Sequence, residues 1–88
     1  MKSARTNFSS APRGHARRGK DADLLALADV VRAARTEAGV TQADLALVSG
    51  VARDTVIALE NGRPGVSLGS ALRVMKCLGL TLAPVARR

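Results

Sequence analysis

The sequence has no tryptophan, no tyrosine and one phenylalanine, Phe8. An aromatic platform for stacking nucleic-acid bases is therefore excluded from its second half, and any core there must be aliphatic. A single cysteine, Cys77, excludes an internal disulfide framework and a zinc site of linked cysteine pairs. Its helical, apolar surroundings read as those of a small core side chain. The one histidine, His15, lies in a stretch without metal-ligating companions. No apolar run approaches the roughly 18 residues needed to cross a bilayer, and no hydrophobic stretch follows the first charges as a signal peptide requires. A cytoplasmic, reducing location is the expectation.

Catalytic machinery is also lacking. The acids are dispersed at helix starts and on polar faces, and Cys77 has no histidine near it in sequence. Gly62-Arg63-Pro64-Gly65 follows a helical segment rather than a strand, which makes it a turn and not a phosphate loop. The sequence predicts no enzyme, no cofactor and no metal.

What is present is an uneven distribution of charge over 88 residues. Residues 1–20 carry Lys2, Arg5, Arg13, Arg17, Arg18 and Lys20 with no acid, whereas residues 21–88 carry eight basic and seven acidic side chains. A basic arm on a nearly neutral body suits a polyanionic partner. The arm is rich in Ser, Gly, Pro and Arg with little to bury, so it is expected to be disordered when free. It reads either as a DNA-embracing arm or as a solubilising leader.

The body, residues 21–79, is expected to be all-α, with four to five helices. Asp21 or Asp23 caps the first, whose buried stripe is Leu24, Leu27, Ala28, Val31 and Ala34 and whose wet side holds Asp29, Arg32, Arg35 and Glu37. Gly39 ends it. Thr41 opens the second, with Asp44 three residues on and Leu45, Ala46 and Val48 facing inward. Gly50 breaks that helix and Val51 plugs the turn. The third helix, roughly residues 53–60, buries Val56 and Leu59, and Asn61, Gly62 and Pro64 stop it. Ser67 caps a fourth with an apolar stripe of Leu68, Ala71, Leu72, Met75 and Leu78, ended by Gly79.

Residues 80–88 change character. Leu80, Thr81, Leu82, Ala83 and Val85 suit a short strand, with Pro84 confining it to an edge. No other stretch reads as its partner, so the expectation is antiparallel pairing with a second copy about a two-fold axis. The alternative is an irregular apolar tail lying on the helices.

Two short helices joined at Ser49-Gly50-Val51 are the arrangement that presents the start of a helix to the DNA major groove. Arg53, Asp54 and Ala58 are the expected base-reading positions. Arg53 has the best chemistry, because a guanidinium can donate two hydrogen bonds to guanine. Asp54 either accepts from a cytosine amino group or serves the helix dipole. Gln42, Thr55, Asn61 and Arg63 are the expected phosphate contacts, Arg63 being alternatively a solvated loop charge. Glu60 has the wrong charge for DNA and is better suited to capping or hydrogen bonding within the fold.

The pattern Thr41-Gln42, Leu45-Ala46, Gly50-Val51, Thr55-Val56 and Leu59-Glu60-Asn61-Gly62 resembles the lambda-repressor-like helix-turn-helix regulators of the Xre branch. Ala52 departs from it, since a polar cap is usual there, and so do the apolar Ile57 and Ala58. Val66-Ser67-Leu68, Leu72-Arg73-Val74-Met75 and Leu78-Gly79-Leu80-Thr81-Leu82 are similar to HipB-type antitoxins. That resemblance implies a nucleoid-associated homodimeric repressor on an inverted-repeat operator in double-stranded DNA, which also holds a HipA-like kinase toxin. A free-standing Xre-type regulator and a protein-interaction module with weak DNA affinity are the competing readings.

Overall fold

The computed structural model describes residues 17–87. Four helices follow one another: α1 Ala22–Ala38, α2 Gln42–Ser49, α3 Arg53–Glu60 and α4 Leu68–Cys77. Each start but one is fixed by a side-chain cap. Asp21 accepts the N–H of Leu24, Thr41 that of Asp44 and Ser67 that of Ser70, all at about 3 Å. Ala52 stands at the front of α3 with extended backbone and no side-chain cap.

All four helices are closed in one way. Gly39, Gly50, Gly62 and Gly79 adopt left-handed backbone, and the following N–H reaches back to a carbonyl five residues earlier: Val40 to Arg35, Val51 to Ala46, Arg63 to Ala58 and Leu80 to Met75. An apolar residue normally follows the glycine and packs back onto the helix. Val51 and Leu80 do so here, lying half-buried against the core. The residue after Gly62 is instead Arg63.

The core joins Val31 of α1, Leu45 and Ala46 of α2, Val56 and Leu59 of α3, and Ala71, Val74 and Met75 of α4. Three positions depart from the periodicity reading. Val48 is 70% exposed, because the inner face of α2 is completed one residue later by Ser49, whose hydroxyl donates to its own helix at Leu45 O. Leu68 is exposed, and the stripe of α4 is centred on Val74 and Met75. Cys77 is exposed at the end of α4 rather than packed in the core, with its Sγ 3.8 Å from Val48 O.

The larger correction concerns charge. Glu60 is wholly buried at the end of α3. Arg35 of α1 donates to both of its carboxylate oxygens, Nε to Oε2 at 2.6 Å and Nη2 to Oε1 at 3.1 Å, and its third nitrogen donates to Val40 O at 2.9 Å. Gln42 Nε2 donates to Oε1 at 3.0 Å, and Arg32 donates to the Glu60 carbonyl at 2.6 Å. Arg32 and Arg35, expected on the wet face of α1, are thus half-buried ligands of one carboxylate. The network ties together α1, the α1–α2 turn, the start of α2 and the end of α3.

Residues 80–87 form neither helix nor strand in the single chain, and beyond Leu80 they are exposed. Residues 1–16, most of the basic arm and with them its expected disorder, lie outside the described residues, as does Arg88. Residues 17–20, assigned by composition to the arm, lie against the fold: the Gly19 N–H donates to Asn61 O at 2.6 Å.

Removing the Glu60 charge leaves the largely buried Arg35 guanidinium without its counter-ion, so Glu60→Gln is expected to destabilise the domain by about 3 kcal/mol, read as a lower urea midpoint. Arg35→Gln combined with it should cost much less than the sum of the two single changes.

Candidate nucleic-acid interface

Val56, Leu59 and Glu60 turn inward and anchor α3, which leaves Asp54 and Ala58 near the centre of its outward face by the helical repeat. Thr55 flanks them. These three residues line an open groove of about 550 Å³ whose far wall is Arg63, Pro64 and Val66 of the α3–α4 loop with Ser67 and Ser70 of α4. Four of the seven expected contact residues are therefore brought together on one concave surface.

The remaining three are placed differently. Arg53 is exposed at the first position of α3 but is not part of the groove wall. Gln42, at the first position of α2, is half-buried with its amide held by Glu60. Asn61 Nδ2 donates to Ile57 O at 2.9 Å, so its side chain closes the last turn of α3. The Glu60 cluster, which composition did not single out, fixes the front of α2 and the back of α3 together. Helical spacing carried the signal, since Glu60 is one turn beyond Val56 and Arg35 one turn beyond Val31.

Ile57, noted as unusually apolar for this helix, is half-buried rather than fully presented to solvent. Ala58 leaves the middle of the groove low and uncharged. Arg63 is the cation at its rim, and Asp54 is the acid on its opposite wall. Among the described residues no group of three or more His, Cys, Asp or Glu side chains is gathered to hold a metal ion. No described helix is long and apolar enough to cross a membrane.

A helix-turn-helix family model matches residues 31–85, which contain this interface whole. The chain belongs to the Xre-type helix-turn-helix family. It is 40% identical over 70 residues to the HTH-type transcriptional regulator y4mF of Sinorhizobium fredii, covering 76% of this chain and 88% of the relative. It is 48% identical over 50 residues to an HTH-type transcriptional regulator of Methanothermobacter thermautotrophicus, covering 57% of this chain and 72% of that one.

The family's usual polar cap before the recognition helix is absent here at Ala52, and the consequence is thermodynamic. Ala52→Ser supplies an acceptor for the first free N–H groups of α3 and is expected to raise stability by about 1 kcal/mol, measured as an increased denaturation midpoint with the slope unchanged.

Proposed function

We propose that this chain is a sequence-specific DNA-binding transcriptional repressor that works as a homodimer on an inverted-repeat operator. The observation that carries the reading is the outward face of α3. A short helix anchored by Val56, Leu59 and Glu60 presents Asp54, Thr55 and Ala58 beside a cationic loop residue, Arg63. A protruding helix of this kind fits the major groove, where base edges are read. The names of the two relatives support a regulatory role.

In this reading Arg53, Asp54 and Ala58 face bases, Arg53 by paired donation to guanine and Ala58 by apolar contact with a thymine methyl. Gln42, Thr55, Asn61 and Arg63 meet the phosphates and set the register. The amide of Gln42 is oriented by Glu60, which makes the buried carboxylate a positioning group for the front of α2. Asn61 contributes at the exit of α3, where its amide already holds the Ile57 carbonyl.

Dimerisation is assigned to Leu80, Thr81, Leu82, Ala83 and Val85. Leu82 and Val85 are exposed, as is Val48 beside Cys77, so a second copy has apolar surface to cover and a stretch of backbone to pair with. Two-fold symmetry then sets two recognition helices one turn of DNA apart, about 34 Å or a multiple of it. The similarity of residues 66–82 to HipB-type antitoxins adds a HipA-like kinase toxin as a partner of the same dimer. Co-purification with the product of an adjacent kinase-like gene supports that extension, and a chain that fails to retain it removes the toxin from the scheme.

Arg53→Ala is expected to relax the preference at one position in each half-site and to weaken binding by about 1–3 kcal/mol per contact. Selection from a random duplex pool measures both, and an unaltered consensus rejects Arg53 as a reader. Deleting residues 81–88 should shift sedimentation toward monomer. A dimer of unchanged affinity rejects the paired-strand arrangement.

A further inference from the structure

The residues that lead into α1 form a second concavity, of about 310 Å³, beside the groove just described. Arg17, Arg18, Lys20 and Arg63 all line it, and Arg63 and Pro64 belong to both surfaces. Two of its charged residues are engaged locally. Arg18 reaches Asp29 at 3.5 Å, and the lining acid, Asp21, accepts the N–H of Leu24. Arg17, Lys20 and Arg63 are left as three cations converging on one hollow, an arrangement that favours an anion.

A backbone junction holds them there. The Gly19 N–H donates to Asn61 O, and a Cβ at Gly19 would collide with Gly62 O, a backbone atom that cannot swing aside. Gly62 cannot retreat either. It is buried at φ +67°, and its own Cβ position is 2.8 Å from Leu25 Cδ2 and 3.2 Å from Leu24 O. Two glycines thus let the chain before α1 cross the exit of α3 at contact distance. The crossing carries Arg17 and Lys20 to the rim where Arg63 replaces the apolar residue that follows the glycine at the end of α2 and α4.

We infer that Arg17, Lys20 and Arg63, gathered by the Gly19–Gly62 crossing, form a phosphate-binding site for the DNA backbone flanking the bases read by α3. The inference rests on the DNA-binding reading above. It adds that the inner end of the basic arm is a fixed, built part of the interface and not only a loose polycation. The neighbouring groove identifies the source of the phosphate: a duplex seated against Asp54, Thr55 and Ala58 runs its backbone past Arg63.

The test uses the full chain and a mixed-sequence duplex, with the logarithm of affinity followed against the logarithm of salt concentration. Arg17→Gln with Lys20→Gln should lower the slope by about two, since each lost phosphate contact removes roughly 0.9. Gly19→Ala should lower the slope in the same direction although it removes no charge. Lys2→Gln with Arg5→Gln removes the same charge more than ten positions from Gly19 in sequence and should change the slope less. An equal fall for both charge pairs overturns the inference, as does an unchanged slope for Gly19→Ala in a chain that keeps its circular dichroism. Arg17 and Lys20 are exposed and outside the helices, so their variants decide the matter if Gly19→Ala unfolds. A wild-type chain that binds no duplex rejects the DNA-binding reading itself, an outcome separate from wild-type binding with an unaltered slope in the variants.

Discussion

One buried carboxylate sets the geometry of this domain. Glu60 is sealed from solvent, and a lone charge there would be prohibitively costly without compensating donors. Arg35 supplies two in a side-on pair and Gln42 a third, while Arg32 secures the same residue through its carbonyl. These ligands come from α1 and from the first residue of α2. Satisfying the carboxylate therefore fixes where α2 begins relative to where α3 ends, which is the angle a helix-turn-helix must hold. Aliphatic contacts among Val31, Leu45 and Val56 hold the helices together with little directional preference. The hydrogen-bonded charge supplies the direction.

Around that centre the chain repeats one device, a glycine closure followed by a residue returning toward the helix. At Val51 and Leu80 the returning residue packs on the core, and the turn becomes part of the hydrophobic interior. At Arg63 the same geometry carries a cation to the surface instead. The α3–α4 loop gains a charged rim without any change in backbone, and the chain before α1 crosses beside it. The helix closure and the chain crossing share the loop because Gly62 leaves room for both.

Much of this was legible in the residues. Asp21, Thr41 and Ser67 announced three helix starts, the glycines announced the ends, and the inner positions of α1 and α3 followed the helical repeat closely. Val48 did not, because α2 is only eight residues long and a serine can complete its inner face by bonding to its own backbone. Cys77 and Leu68 lie at the two ends of α4, where the repeat gives direction but not the extent of the covering elements. Arg32 and Arg35 were hidden for a different reason, whereas Glu60 had already been assigned to hydrogen bonding within the fold. Reading charge as a mark of the wet face of α1 overrode spacing that already placed Arg35 with Val31. Of the interface, the outward turn of α3 was legible; the grouping of Arg63 with residues 17–20 was not, since it depends on a crossing between segments more than forty positions apart in sequence.

The pairing of Arg35 with Glu60 also constrains descent. Loss of the acid leaves the cation without its counter-ion, and loss of the cation leaves a buried acid short of two donors, so either change alone costs stability that the paired change largely returns. The two positions are thermodynamically coupled, so a tolerated change at one calls for a matching change at the other.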